Sequence, residues 1–253
     1  AGIHSEFELE TSTLTCSIES NRHHRGKIQL TLVDDQTPIV QAEAQFDGRA
    51  ESKVSLKIPN AKLWSPESPW LYALKLVLFD ENGIVVDAAE SYTGLREIGR
   101  KDGAITINGH ATYLRGVLDQ GYFEGGWYAA LDDSTIRRDV ELTLSLGFNC
   151  ARKHQKIEDP RYLYWADKLG LLVWEEMPSG RIFSNELVRT FTDEWTSVLS
   201  RDRQHPCIIA WVPFNESWGI WHQSERVQQR AFVDAMVSLA RTLDNSRLIV
   251  GND

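Results

Sequence analysis

The sequence predicts a multidomain chain of β then α/β class, with a β-sandwich over residues 1–98 and strand–helix repeats over 99–253. Three observations predict this. Up to about residue 98, apolar and polar residues alternate with the period of half-buried strands, and turn signals separate the runs. From about residue 105, short β-branched runs alternate with stretches of helical spacing, the pattern of parallel α/β structure. A length of 253 residues suffices for two domains, and the hydrophobic fraction of 42% is that of an ordinary globular protein.

In the first region, Phe7-Glu8-Leu9-Glu10, Lys27 to Leu32, Lys53 to Ile58 and Leu74 to Leu78 read as strands. Asp47-Gly48 and Glu81-Asn82-Gly83 are turn signals between them. No convincing helix interrupts the series, which suggests a sandwich. Trp64 and Pro66 are expected to fix a turn at its edge.

In the second region, Ile105-Thr106-Ile107 and Thr112-Tyr113-Leu114 flank Asn108-Gly109, a hairpin signal. Leu114 to Val117 reads as the first parallel strand. A helix is expected from about Ser134 to Leu146, with Ile136, Val140 and Leu144 stacked and Asp133 as N-cap. Gly147 stops it, and Phe148 to Lys153 forms the second strand. Asp159-Pro160 has the cap-then-proline order of a helix start, and that helix runs to Gly170. The third strand is Leu171 to Glu175, followed by a helix over about Glu186 to Arg201. The run Ile208-Ile209-Ala210-Trp211-Val212 supplies the fourth strand. A long helix over about Glu225 to Leu243 places Val227, Ala231, Ala235, Leu239 and Leu243 on one face. Arg247 to Gly251 begins a fifth strand.

Composition removes several functions. The net charge of −9 argues against a nucleic-acid partner. No run of about 18 apolar residues exists, so no membrane span is predicted. The first twenty residues lack the apolar centre of a signal peptide, and the sequence leaves localisation open. Cys16, Cys150 and Cys207 are unclustered, and the latter two lie on apolar runs as buried thiols. The seven histidines show no zinc spacing, and His23-His24 on a strand would point to opposite faces. No metal and no cofactor is predicted.

The fourth strand runs on into Pro213-Phe214-Asn215-Glu216-Ser217-Trp218-Gly219. A strand buried on both faces thus ends in an amide and a carboxylate, with Trp218 and Trp221 beyond. In a βα barrel that end carries the chemistry. An acid can protonate a glycosidic oxygen, an amide can hold a sugar hydroxyl, and indole faces pack on sugar rings. Equally, a strand-end glutamate caps the next helix or makes a surface ion pair.

The motif Val212-Pro213-Phe214-Asn215-Glu216-Ser217-Trp218-Gly219 resembles the acid/base motif of glycoside hydrolase family 2, which includes β-galactosidases, β-glucuronidases and β-mannosidases. Other segments match in order. Leu63-Trp64-Ser65-Pro66-Glu67-Ser68-Pro69 with Leu71-Tyr72, and Gly94-Leu95-Arg96-Glu97-Ile98, resemble signatures of the family's immunoglobulin-like domain. Ile107-Asn108-Gly109 and Leu114-Arg115-Gly116-Val117 resemble its barrel entry. Gly147-Phe148-Asn149 with Arg152 and His154, then Leu169 to Glu176, resemble its second and third strands.

The resemblance implies an immunoglobulin-like β-sandwich followed by a partial (βα) TIM-type barrel of about four and a half units, since a complete barrel needs roughly 250 residues. It implies a retaining β-glycosidase in which Glu216 is the general acid/base, a role that calls for a carboxyl buried beside Trp211 or Trp218. Asn215 would bind the hydroxyl next to the anomeric carbon. Arg152 would orient carboxylates, and His154 would face the same cavity or make a structural hydrogen bond. Of Glu175 and Glu176, adjacent on a strand, only one can face the cleft, and Glu176 is assigned. Arg115 is similar to a family arginine near the catalytic carboxylates, and Trp218 would pack on sugar. Asp119 and Gln120 would touch sugar or cap their loop.

In the family the nucleophilic carboxylate ends the seventh strand, and no residue here matches it. The family's N-terminal sugar-binding sandwich is also absent. Where the family often has Arg-x-Ser-His-Tyr-Pro, this chain has Arg152-Lys153-His154-Gln155-Lys156, which leaves the sugar unspecified. Three readings compete. The chain is a glycosidase fragment bearing the acid/base alone, or a non-catalytic carbohydrate-binding or self-assembling remnant, or a rebuilt site pairing Glu175 or Glu176 with Glu216. The expected partners are a carbohydrate substrate and, through open barrel edges, a second copy or a complementing C-terminal half.

Overall fold

The computed structural model describes residues 2–19, 25–47 and 51–253. His23-His24 and the Gly48 half of one turn signal lie outside the described residues. The chain forms two compact units, Ala1–Glu97 and Ile98–Asp253.

The first unit holds β1 (Gly2–Glu8), β2 (Thr13–Glu19), β3 (Arg25–Asp34), β4 (Thr37–Asp47), β5 (Glu51–Lys57), β6 (Tyr72–Asp80) and β7 (Val85–Thr93). They form two antiparallel sheets, ordered β1-β2-β5 and β4-β3-β6-β7. Alternate residues of β2, β3, β5 and the first half of β6 turn inward. Leu14, Cys16 and Ile18 of β2 and Val54 and Leu56 of β5 meet Ile28, Leu30 and Leu32 of β3 and Leu74 of β6 in one core. Burying each such Leu or Ile is worth roughly 1.5–3 kcal/mol, so this alternation is what holds the sandwich together. Leu9 and Glu10 do not extend β1 as expected. They fall in the turn to β2, where Ser12 takes φ 51° and reverses the chain. Trp64 is fully buried, and its backbone N–H donates to Leu95 O at 2.8 Å. In the turn before β7, Asp80 Oδ1 accepts from the backbone of Asn82 and Ile84, and Gly83 supplies the φ of 78°.

The second unit opens with a small antiparallel sheet of β8 (Ile98–Lys101), β9 (Ala104–Ile107) and β10 (His110–Ala111). Asn108 and Gly109 join the last two at φ 52° and 78°, the left-handed pair that a tight hairpin requires. Then follow β11 (Gly116–Asp119), α1 (Asp133–Ser145), β12 (Cys150–Lys153), α2 (Pro160–Leu169), β13 (Leu172–Glu176), α3 (Asn185–Asp202), β14 (Ile208–Val212), α4 (Val227–Leu243) and β15 (Leu248–Ile249). The five strands from β11 to β15 form one parallel sheet in sequence order, a partial TIM barrel.

Several boundaries differ from the sequence reading. The first parallel strand starts at Gly116, not Leu114. The Asn149 side chain takes over the pairing there, accepting from Arg115 N at 2.7 Å and donating to Tyr113 O at 3.0 Å. The N-cap of α1 is Asp132 rather than Asp133, because Asp132 Oδ1 reaches Thr135 N at 2.7 Å. Asp159 caps α2 as expected, with Pro160 at its start and left-handed Gly170 at its end. On α4 the buried face is Gln229, Phe232, Met236 and Ala240, while Val227, Ala231 and Ala235 are exposed. The bulkiest apolar side chains decide the rotation: Phe232 packs edge-on against Phe191 and Phe214.

Candidate active site

Every residue of β14 is buried, which fixes the strand as the central rib of the sheet. Trp211 packs edge-on to Trp195 and donates its indole N–H to Asp244 at 2.8 Å. Past the strand, Phe214 stacks on Phe191 at 4.9 Å. The next three residues therefore emerge from a rigid anchor. Glu216 and Ser217 take φ of 49° and 63°, a left-handed turn uncommon for residues with a side chain. Three bonds to the segment after β15 hold it, one of them from Asn252 Nδ2 to Ser217 Oγ at 3.2 Å. Glu216 N donates to Asp253 O at 2.7 Å, and Ser217 N donates to Asn252 Oδ1 at 2.9 Å. Gly219 has no room for a side chain, since a Cβ there would lie 2.8 Å from Gly180 O.

Arg152, near the end of β12, gathers the polar groups at these strand ends. Its Nε donates to Glu176 Oε2 at 2.7 Å and its Nη2 to Asn215 Oδ1 at 2.6 Å. The same guanidinium bonds Asp253, at 2.7 Å from Nη1 and 2.9 Å from Nη2. Glu176 is fully buried, and its other oxygen accepts from Gln155 N at 3.0 Å. His154 Nδ1 lies 2.9 Å from that oxygen without the alignment of a hydrogen bond. Burial pushes the Glu176 carboxyl above the usual carboxylate range, while its bond to Arg152 pulls it back. Asn215 is buried with its oxygen engaged, and its Nδ2 has no partner among the described residues. A buried amide N–H left unpaired is expensive, so this donor is available to a ligand hydroxyl.

The remaining sequence candidates fall elsewhere or differ in burial. Glu216 is exposed, not buried beside Trp211 or Trp218 as expected, because its left-handed turn carries the side chain outward. Trp218 and Trp221 pack edge-on at 4.6 Å on the same loop, both partly exposed. Arg115 is not brought to the site. It precedes β11 at the opposite end of the sheet, exposed, with Nε donating to Gly147 O at 2.8 Å. Glu175 points to the helix side of β13, where burial and the facing Asp202 carboxylate push it well above the usual range. Asp119 accepts from Gly121 N at 2.7 Å and pairs with Lys153 at 2.5 Å, so it caps its loop. Asn252, Asp253 and Gln155 were missed by sequence reasoning. The strand-end rule that singled out Asn215 applies equally to Gly251-Asn252-Asp253 after β15.

Residues 98–252 match the model of the TIM barrel domain of glycosyl hydrolases family 2, and residues 2–96 match another model of that family. The chain belongs to glycosyl hydrolases family 2. Among curated relatives, a putative beta-glucuronidase of Formosa agariphila is 32% identical over 96% of this family 2 chain, and a beta-galactosidase of Vibrio cholerae is 28% identical over 85%. The chain spans only 30% and 22% of those two proteins. A solved beta-glucuronidase of Parabacteroides merdae superposes with a TM-score of 0.82 at 22% identity, over 98% of this chain and 32% of that one. This last likeness shows the fold.

Proposed function

We propose that the chain is the acid/base-bearing part of a retaining β-glycosidase. The observation that carries this reading is the Arg152–Glu176–Asn215 cluster at the strand ends, with a spare Asn215 donor beside Glu216. In this reading the Glu216 carboxyl protonates the departing glycosidic oxygen while a second carboxylate attacks the anomeric carbon. Glu216 then takes a proton from the water that releases the sugar. Asn215 Nδ2 donates to the hydroxyl next to the anomeric carbon. Arg152 keeps Asn215 and Glu176 in place, and Trp218 offers a face to the sugar ring.

The attacking carboxylate must sit about 5–5.5 Å from Glu216. Arg152 already holds Glu176 and Asp253, and Glu175 lies on the helix side, so in this reading the nucleophile comes from outside residues 1–253. Strands joining the open edges at β11 and β15 would bring it, from a longer form of the protein or from a second copy. The family resemblance and the named relatives support a β-linked galactoside or uronide as substrate.

The test is hydrolysis of a panel of aryl β-glycosides by the chain alone, by a form extended through the rest of the barrel, and by Glu216→Gln in each. The expected result is negligible turnover by the chain alone and turnover by the extended form that Glu216→Gln removes. Turnover that survives Glu216→Gln would end the proposal.

A further inference from the structure

The loop between β11 and α1 holds aromatic side chains away from any core. Tyr122, Trp127 and Tyr128 are 64%, 79% and 50% exposed, and the two tyrosine rings meet at 5.5 Å. This is no loose segment. Phe123 and Trp127 form a two-way backbone bridge of 2.7 and 2.9 Å. Buried Lys156 grips the loop from beneath. Its Nζ donates to Gly121 O at 2.6 Å and lies 5.1 Å from the centre of the Phe123 ring and 4.5 Å from that of Tyr128. Gly126 is required, since a Cβ there would sit 2.0 Å from Ala129 O. Trp127 itself is held at φ 55°, a conformation that costs a bulky residue of order 1–3 kcal/mol. A strained, clamped loop that displays its rings to solvent is organised for contact with something outside the chain.

The loop's position selects the occupant. It leaves the same end of the sheet as the candidate site, since His154 N donates to Asp119 O at 2.8 Å where β11 ends. Tyr128 OH donates to Gln155 O at 3.4 Å, and the N–H of that same Gln155 donates to the buried Glu176. Two hydrogen bonds thus link the display of rings to the Arg152–Glu176–Asn215 cluster. A sugar ring has apolar C–H faces and hydroxyl edges, and it matches rings that carry polar tips.

We propose that Tyr122, Trp127 and Tyr128 form a subsite for the leaving-group sugar, making the site selective for β-linked di- or oligosaccharides over glycosides with a small leaving group. This rests on the glycosidase reading and adds what lies on the far side of the scissile bond. Because the rings are preset, little ordering entropy opposes binding.

The test compares methyl β-galactoside and methyl β-glucuronide with β-galactosyl-glucose and β-glucuronosyl-glucose, using tryptophan fluorescence and indole N–H resonances. The proteins are the chain, Trp127→Ala, Trp127→Phe and Tyr122→Ala, each checked for fold by circular dichroism. The chain should bind its preferred disaccharide about tenfold more tightly than the matching methyl glycoside, the size of effect that good ring stacking gives. Trp127→Ala should erase that preference, Tyr122→Ala should reduce it and Trp127→Phe should keep much of it. No preference in the parent chain, or an unchanged preference in Trp127→Ala, overturns the proposal. So does a Trp127 shielded from acrylamide before sugar is added, which would assign the rings to a protein contact. Failure of the underlying reading looks different: the extended form would hydrolyse no aryl glycoside even if the disaccharide preference were intact.

Discussion

Replacing Arg152 with methionine tests whether the site is built around a buried charge pair. The substitution keeps much of the side-chain volume and removes every bond to Glu176, Asn215 and Asp253. Breaking a fully buried ion pair costs about 3–5 kcal/mol, and an exposed pair is worth at most about 1 kcal/mol. Glu176 is fully buried while the Arg152 side chain is 27% exposed, so screening puts the expected loss at about 2–3 kcal/mol. For a unit of this size that corresponds to a Tm lower by roughly 4–12 °C. The sign of the pH dependence follows from Glu176, whose carboxyl is already raised in the fold by burial. Without Arg152 it rises further. A raised carboxyl contributes fully below the unfolded value of about 4.3, and that contribution is lost as pH climbs through the folded value. The penalty of Arg152→Met should therefore be smallest near pH 4 and grow toward neutrality. Urea unfolding followed by tryptophan fluorescence suits the measurement, because seven of the nine tryptophans lie beyond residue 98. The double variant Arg152→Met/Glu176→Gln should recover much of the loss at pH 7, since no charge is then left unpaired. A pH-independent penalty, or strictly additive single variants, would refute the reasoning.

Glu175→Gln should stabilise the protein at pH 8 and flatten the alkaline side of its stability curve. Its carboxyl is raised well above the usual range by burial and Asp202, so stability is lost as pH rises through that value. Urea midpoints at pH 5 and pH 8 check this. Asp244 behaves oppositely. Burial opposes its charge, yet Arg247, Ser246 and Trp211 together hold its carboxyl well below the usual range. Its contribution is present above the unfolded value of about 3.9 and lost as pH falls through the folded one. Asp244→Ala, which strands Arg247, should cost about 3–5 kcal/mol at pH 7 by urea unfolding. Burial pushes the Cys16 and Cys150 thiols up to about 12 and Cys207 well above its usual value, so a thiol reagent at pH 8 should label none of them until urea is added.

The order of elements was legible because each carries its own local signal. Alternation marked the sandwich strands, Asp159-Pro160 and Gly170 bracketed α2, and Asn108-Gly109 marked a hairpin. The errors arose where one residue's bonds override a pattern. Asn149 displaced the start of β11, Asp132 outcompeted Asp133 for the cap, and Phe232 with Met236 rotated α4 away from the four-residue ladder of Val227, Ala231 and Ala235. In the site, Asn215, Arg152 and Glu176 were legible from the strand ends, and the structure brings them into one bonded cluster. Arg115 was assigned by resemblance to a family arginine, but it precedes β11, and in a parallel sheet that puts it at the end opposite the site. The exposure of Glu216 was illegible because nothing in the sequence announces a left-handed turn at a glutamate and a serine. That turn is fixed by Asn252 and Asp253, 35 or more residues along the chain.

Strand alternation also separates two kinds of polar network that the sequence sets side by side. Arg152 and Lys153 are neighbours, as are Glu175 and Glu176, yet each pair splits between opposite faces of the sheet. Arg152 and Glu176 meet each other and Asn215 at the strand ends. Lys153 turns to Asp119 and Glu158 and lies 4.3 Å from the centre of the Tyr162 ring, while Glu175 turns to Asp202. On the helix side Lys153 is paired with Asp119 and Glu158, while both oxygens of buried Glu175 lack a hydrogen-bond partner among the described residues. The strand-end cluster is left with a spare Asn215 donor, and the Glu216 carboxylate beside it is exposed. In the proposed glycosidase reading, the period of two places Arg152 and Glu176 on the ligand-binding face and Lys153 and Glu175 on the other. A one-residue slip of β12 against its neighbours would exchange Arg152 for Lys153 and lose the site while keeping the charge count. The physical reason to look for substrate at Asn215 and Glu216 is access: Glu216 is exposed beside the spare Asn215 donor, whereas Glu175 and the ion pair of Lys153 with Glu158 are sealed from solvent.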